Sequence, residues 1–435
     1  MGAALQSIVP APEPVPVTGA TLLRTVSVIA ALMACGYATG AAGQTVFDRN
    51  ANVAVLQRPH PDYQASGIAA GAWLIYPRLS VGAAYDDNIF AAPAHGVADT
   101  IFTIEPKILI QSNWNRHALS LTADANFREY AAHSRENTVE YAFTSTGRLD
   151  VQRDFVVNVR AQYQDQVIPR TEAAYVDASL EPLQYQEASG KLELVRTFGN
   201  LRLTVGGGAV HDNYLDGKVT GGGVVDEAFR NNTNVSGSVR LDYATSPNLA
   251  VFGEEDVNDF IYDNASDRNS WGTQSLVGVN LQITHLLTGE FGVGYLTQTY
   301  DNPLAHDTGT FSGKGQLQWF PTQLVTVTVS GSQALYDSGL TGSPAYLGSN
   351  VALQADYELL RNFIISARFG NEWDTYKGID RRDTTYDASL SANYLLNRSV
   401  GLKFTYTRLS LASSGVDHGR RFDDDVVGLA LTLRR

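Results

Sequence analysis

The chain has 435 residues, and its 32 Lys and Arg against 45 Asp and Glu give a formal net charge of −13. A hydrophobic content of 44% excludes intrinsic disorder, and a single Cys excludes a disulfide scaffold or a Cys-rich metal protein. The acidic balance argues against nucleic acid as a partner. Beyond residue 43 no apolar run approaches the roughly 20 residues of a membrane helix, which excludes a multi-span helical protein.

The first 43 residues contain the parts of a secretory signal peptide: Arg24, an apolar core over 22–34 and small residues through Gly43. The Pro-rich stretch before this core is long for such a leader, which a misassigned start codon would explain. Leu32 to Cys35 resembles a lipoprotein processing box with Cys35 as the lipidated residue; the alternative is a cysteine removed with the leader. In that case the exported chain has no cysteine.

From Trp73 onward apolar and polar residues alternate with a period of two, which in a β-strand places the two sets on opposite faces. In residues 119–128, for example, Leu, Ala and Phe alternate with Ser, Thr, Asp, Asn and Arg. The same alternation recurs at 277–284, 325–330, 363–372 and 400–407. Short turns rich in Asn, Asp, Gly and Pro alternate with longer loops, and one short turn per hairpin predicts about eighteen antiparallel strands.

So many strands could form either a transmembrane barrel or a soluble all-β fold, and strand length and the chemistry of the two strand faces distinguish these architectures. The strands run about 11 to 16 residues, whereas globular strands average about 5 to 6 and the lipid-facing part of a tilted membrane strand needs about 9 to 11. The apolar face is nearly devoid of charge, and the other face carries Asp, Glu, Lys, Arg, Gln and Ser. We therefore predict an all-β fold, a transmembrane outer-membrane antiparallel β-barrel over residues 73–435; the alternative is a soluble all-β solenoid or propeller.

Aromatic residues cluster where strands meet turns or loops, as expected for belts at the two membrane interfaces. The predicted belt on the short-turn side contains Trp114, Phe198, Trp319 and Phe320. The predicted belt on the long-loop side contains Phe260, Tyr262, Trp271, Tyr300, Tyr336 and Trp373.

An even strand number places both termini on the short-turn side, which in outer membranes is the periplasm. Residues 44–72 are therefore expected to form a periplasmic N-terminal segment.

A barrel of about eighteen strands is too wide for side chains to fill, so it requires an aqueous lumen or a folded-in plug. Mixed charges in a lumen can form hydrogen bonds with sugar hydroxyls or pair with uronates; alternatively, they solvate the lumen and brace it by ion pairs. The lumen-lining candidates are Asp124, Arg128, Arg160, Arg240, Asp242, Lys314, Arg368, Glu372, Asp374, Asp387 and Lys403.

Several short stretches carry a family resemblance: Arg58-Pro59-His60-Pro61-Asp62-Tyr63, Gly67-Ile68, Tyr76-Pro77 and Tyr85-Asp86-Asp87-Asn88-Ile89-Phe90. Together they resemble the N-terminal signature of outer-membrane β-barrel porins found with exopolysaccharide synthesis and export genes in Gram-negative bacteria, particularly alphaproteobacteria. The resemblance implies an outer-membrane conduit for a secreted polysaccharide, or an accessory to one, that works with a periplasmic polysaccharide export protein. As an outer-membrane barrel, the protein is also expected to contact outer-membrane lipid and lipopolysaccharide. The end of the chain, Leu431-Thr432-Leu433-Arg434-Arg435, departs from the terminal aromatic residue that many such barrels present to the assembly machinery.

The rim motif Tyr85, Asp86, Asp87, Asn88 and Phe90 lies where the first strand runs toward the outer rim. It is expected either to bond the first strand to its closing neighbour or to contact substrate directly.

The eight His show no metal-ligand spacing, and the acidic stretch 423–425 is either a Ca²⁺ ligand set or a solvated loop. We predict no catalytic residues, metal or cofactor. The functional hypothesis is a polysaccharide export pore; the alternative is a general or sugar-selective small-solute porin.

Overall fold

The structure is a computed structural model that describes Phe47 and residues 52–173, 175, 179–219, 222–303, 307–340 and 342–435. The expected signal peptide and Cys35 lie outside the described residues. Short 3-10 turns occur at Val55–Gln57, Ser134–Glu136, Ala228–Arg230 and Ser266–Arg268. Within the described ranges, no helix is long and apolar enough to cross a membrane.

Eighteen long strands form the wall of the molecule. The first seven are β2 (Trp73–Asp86), β3 (Asp99–Ser112), β4 (Ala118–Tyr130), β5 (Thr138–Gln152), β6 (Phe155–Ile168), β7 (Leu183–Phe198) and β8 (Leu201–Tyr214). The remaining eleven are β11 (Asn232–Ser246), β12 (Leu249–Tyr262), β13 (Ser270–Thr284), β14 (Leu287–Tyr300), β15 (Thr308–Thr322), β16 (Val325–Leu340), β17 (Ser343–Leu360), β18 (Phe363–Tyr376), β19 (Arg382–Leu395), β20 (Val400–Ser414) and β21 (Phe422–Arg434). Three short strands complete the list: β1 (Ile68–Ala70) pairs with β2, and β9 (Gly217–Lys218) pairs with β10 (Val224–Val225).

The wall closes on itself because the first and last long strands pair. β2 and β21 run antiparallel from the pair Arg78 and Arg434 to the pair Asp86 and Val426. Every other long strand pairs antiparallel with its neighbours along the chain, β8 with β11 included. Closure removes the exposed edges that an open sheet would present. The predicted antiparallel barrel of about eighteen strands is confirmed.

The period of two determines which side chains face outward. Val277 and Val293 each expose 66% of their surface on the outside of the barrel, whereas Leu276 exposes 2% on the inside. Because successive side chains of a strand point to opposite faces, one apolar set forms an outer band and the polar set lines the lumen.

The prediction of the two aromatic belts is correct for only some of their members. Five members point outward and are exposed: Trp114, Phe198, Trp271, Trp319 and Trp373. The structure contradicts the belt assignment of Phe320, Tyr262 and Tyr300, which expose 5%, 6% and 7% of their surface. Phe260 and Tyr336 lie at even positions that share this inward face. Proximity to a turn therefore does not decide the direction of a side chain, because the parity of its position does.

Candidate permeation pathway

A charged network covers the inner wall on β8 and β11 to β15. Arg240 lies 2.9 Å from Asp242, 3.2 Å from Glu254 and 2.8 Å from Glu290. Lys314 lies 2.6 Å from Glu254, and Arg202 lies 3.4 Å from Asp242. Because these ions contact partners on other strands, the network links the strands on this side of the barrel to one another.

An aromatic ring supports the centre of this network. The guanidinium of Arg240 stacks 3.9 Å from the centre of the Phe252 ring, which exposes only 4% of its surface. Gly278 on β13 and Gly292 on β14 leave room for that ring, and a Cβ at either position would press on it. The close approach of an aromatic ring thus explains two strand glycines.

The remaining predicted lumen residues also lie on the inward face, and several are bonded to one another. Arg128 lies 3.2 Å from Glu140, and Arg368 lies 3.7 Å from Asp387. Arg160 donates a hydrogen bond of 2.8 Å to the side chain of Gln162. The others on this face are Asp124, Glu372, Asp374 and Lys403. The structure brings Arg240, Asp242 and Lys314 into one network and pairs Arg368 with Asp387, and it distributes the other predicted residues around the ring.

The N-terminal strap, which we define as Phe47 and residues 52–66, lies against the inner wall at the short-turn end of the barrel. Phe47 packs on Ala244 and Ala250 at one end of this path. Farther along, the amide of Val55 donates a hydrogen bond of 3.0 Å to Oγ1 of Thr326. Val55 exposes 0% of its surface, so this part of the strap is fully enclosed.

The second half of the strap is held by charge. Arg58 forms an ion pair with Glu358, whose side chain is fully buried, and donates to the carbonyl of Gln323. Arg434, next to the end of the chain, donates a hydrogen bond of 2.8 Å to the carbonyl of Tyr63. Burial lowers the pKa of the His60 imidazole, although the nearby Glu358 carboxylate opposes the effect. The strap therefore narrows the lumen from β11 and β12 around to β21.

At the other end of the barrel, the inner loop, which we define as residues 169–173, 175 and 179–182 between β6 and β7, reaches toward the β18–β19 and β20–β21 loops. Arg170 binds Glu136 through two hydrogen bonds of 2.9 and 2.6 Å. Burial alone would lower the pKa of Arg170, but its bonds to Glu136 raise it. Arg381 donates to the carbonyl of Ala173 at 2.8 Å, and Arg420 to that of Glu172 at 2.6 Å. The inner loop is thus fastened at both sides.

A cavity of about 490 Å³ lies in the lumen between the strap and the inner loop. Its wall comes from β2, β3, β4, β20 and β21, with His60 and Gln64 of the strap and Arg170 of the inner loop among its lining residues. The predicted candidates Arg128 and Lys403 line it as well. This cavity is the candidate permeation pathway, because it is lumenal space that reaches both constrictions.

The rim motif lies on the seam between β2 and β21. Asn88 exposes 5% of its surface and donates hydrogen bonds of 3.0 and 2.8 Å to the carbonyls of Ala92 and Asp423. Asp87 accepts a hydrogen bond of 2.8 Å from the amide of Asp425. Tyr85 points outward with 52% of its surface exposed. Carboxylate oxygens of Asp86, Asp87 and Asp424 all lie within 4.8 Å of one another.

Phe90, the last member of the motif, lies beside the inner loop. Its ring contacts His133 edge to face at 5.6 Å between ring centres, and the guanidinium of Arg170 lies 5.4 Å from the centre of the same ring. The motif thus bonds the seam on one side and supports the inner loop on the other.

The sequence left a folded-in plug open, but it did not predict the contacts that dock the strap and the inner loop in the lumen. One signal for this docking was the run Arg58-Pro59-His60, which places a charge, a rigid residue and a titratable ring at three successive positions. A solvated linker does not need such a run. The contacts themselves depend on which hairpins surround the lumen, and periodicity does not report that.

A closed barrel of eighteen antiparallel strands, with an apolar outer band and a charged lumen, defines an outer-membrane β-barrel pore. Residues 60–435 match the family model described as "Putative beta-barrel porin 2", and the chain belongs to that family. The predicted outer-membrane location is confirmed, and the outer band of this chain contacts membrane lipid. No curated protein matches the sequence.

Solved outer-membrane proteins have similar barrels at low sequence identity. OpdK of Pseudomonas aeruginosa, crystallised with vanillate, is 10% identical over 83% of this chain and 99% of its own, with a TM-score of 0.44. OpdL of the same organism is 11% identical over 84% and 99%, with a TM-score of 0.45. The FrpB iron transporter of Neisseria meningitidis is 8% identical over 86% and 83%, with a TM-score of 0.44.

Proposed function

We propose that the protein is a channel for small hydrophilic solutes. The observation that supports this proposal is the cavity of about 490 Å³ between two fastened constrictions. Cavities of about 300–1,000 Å³ hold small molecules. A polysaccharide strand would need both the strap and the inner loop to leave the lumen. The strap is held by the ion pair between Arg58 and Glu358, whose side chain is fully buried, and the inner loop by the ion pair between Arg170 and the buried Glu136.

The side chains around the cavity suit transport better than tight binding. A permeation site must attract a solute and release it again, which mixed and replaceable polar contacts achieve. Membrane insertion with the short-turn end toward the periplasm would place the strap and residues 44–72 on the periplasmic side. Solute would then enter past the inner loop and leave past the strap.

The test uses the purified full chain, without its leader, in planar bilayers and in liposomes. We expect a stable small conductance and uptake of monosaccharides, with a sharp decline for longer oligosaccharides. The matched control is protein-free liposomes of the same lipid. A barrel that is folded, as shown by altered gel mobility before heating, yet passes neither ions nor monosaccharides would overturn the proposal.

Polysaccharide export is the second candidate, and the stretch Tyr85 to Phe90 supports it by its resemblance to porins found with exopolysaccharide genes. In that function a periplasmic polysaccharide export protein would meet the short-turn end and displace the strap. Secreted and periplasm-retained polymer should be compared in cells that lack the gene and in the complemented strain. Retention that the gene reverses would support export, whereas unchanged secretion would exclude it.

A further inference from the structure

Three cations stand side by side on the inner wall at the short-turn end of the cavity. Arg78 on β2 is the direct cross-strand partner of Lys107 on β3 and of Arg434 on β21. All three side chains line the cavity. Like charges directly opposite one another destabilise a sheet. Lys107 is in turn the cross-strand partner of Asp124 on β4, so an acidic residue borders one end of the row. Arg78 lies between two cations, so positive charge is concentrated around it.

The neighbouring wall is built to leave space in front of these cations. The next inward positions of β2 are Ser80, Gly82 and Ala84, and those of β21 are Gly428, Ala430 and Thr432. All of these residues are small, and all line the cavity. A Cβ at Gly82 would lie 2.7 Å from Oγ1 of Thr103, so the wall is also closely packed there. The cation row thus borders a recess and does not press against large side chains.

The charge of the cavity lining is opposite in sign to that of the whole chain. Six Lys and Arg side chains line it against four Asp and Glu, although the chain carries a net charge of −13. Three of the four acids lie toward the long-loop end: Asp86 and Asp424 at the seam, and Glu136, which binds Arg170. Toward the strap, Lys403 joins the cation row, and Glu105 is the acidic lining residue there.

We propose that this recess binds small organic anions, carboxylates or phosphate esters, and makes the channel prefer them over neutral or cationic solutes of equal size. Guanidinium groups present paired donors that match carboxylate and phosphate oxygens. A low-dielectric cleft with one sign of charge also concentrates ions of the opposite sign. This inference depends on the proposed small-solute channel and names its substrate class.

The test compares three solutes of similar size and different charge: gluconate, glucose and glucosamine. Liposome uptake of each by the wild-type chain is measured beside the reversal potential in a KCl gradient, and glucose 6-phosphate separates a phosphate preference from a carboxylate preference. We expect gluconate to be taken up fastest and glucosamine slowest, with glucose between them. The reversal potential should have the sign of a channel that selects chloride over potassium. In the double variant Arg78→Glu, Lys107→Glu the ratio of gluconate to glucose uptake should fall by about tenfold or more.

Lys191→Glu is the matched control, because Lys191 lies on the inward face of β7 and is not among the cavity-lining residues. This variant should retain most of the anion preference, and an equal loss would show that no local site exists. Equal wild-type uptake of the three solutes would overturn the inference and leave the channel function standing. Uptake of none would refute the channel function itself. If the double variant does not fold, Lys107→Gln gives the same comparison with a smaller expected fall.

Discussion

Removal of the Arg58 charge should release the strap from the lumen. The Glu358 side chain exposes 0% of its surface and that of Arg58 exposes 19%, so Arg58→Met leaves a carboxylate in a site without its main counter-ion. Breaking a buried ion pair by removing one partner costs about 3–5 kcal/mol. Arg361 remains 3.8 Å from Glu358, but its side chain exposes 77% and compensates little. We therefore expect a loss near 3 kcal/mol, about a hundredfold in the ratio of docked to released strap.

Thiol labelling at Val55 measures this ratio, because Val55 is fully enclosed while the strap is docked. Val55→Cys should react with a maleimide about a hundredfold faster in the Arg58→Met background than alone, at one fixed pH. Arg361→Met is the matched control, since an exposed pair contributes about 0.2–1 kcal/mol and should change the labelling rate about fivefold at most. Adding Glu358→Gln to Arg58→Met should restore part of the protection. Equal labelling rates in the Arg58→Met and parent chains would refute the reasoning.

Three further perturbations test other parts of the barrel. Because burial lowers the pKa of His60, the docked strap binds a proton more weakly than the released one, so docking weakens as the pH falls below the ordinary His value of about 6.5. Single-channel conductance should rise over that range in the wild type, and persistence of the rise in His60→Gln would contradict this cause. Arg170→Ala removes the counter-ion of Glu136, whose side chain exposes 4%, and should loosen the inner loop and enlarge the conductance; an unchanged conductance would mean that other contacts hold the loop. Val293→Arg places a charge in the middle of the lipid-facing band and should cost about 2–4 kcal/mol in urea unfolding from vesicles, whereas a cost below about 1 kcal/mol would argue against lipid at this position.

The barrel could be predicted because its determinants are local. Alternation from Trp73 onward and a short turn in every hairpin depend only on neighbouring residues, and they suffice for the number and pairing order of the strands. The direction of an aromatic residue at a rim requires the parity of its position, and the belt assignment of Tyr262, Tyr300 and Phe320 failed because it used proximity to turns instead.

The pathway itself depends on contacts that local patterns do not contain. Arg58 and Glu358 are 300 positions apart in the chain. The cation row exists only because β2 and β21 close in the register that pairs Arg78 with Arg434. Shifting that register by one residue would place these side chains on opposite faces. Sequence reasoning selected the inward residues of single strands, but it could not group them around the ring.

The strap is made before any strand of the wall, yet its partners belong to the last-made half of the barrel. Phe47 packs beside β11 and β12, Arg58 binds Glu358 near the end of β17, and the carbonyl of Tyr63 accepts a hydrogen bond from Arg434 on β21. The full set of contacts that holds the strap is therefore complete only after β21 has been synthesised. We therefore expect the strap to dock after the wall has closed, so that the short-turn end of the lumen is wider during assembly than in the finished barrel.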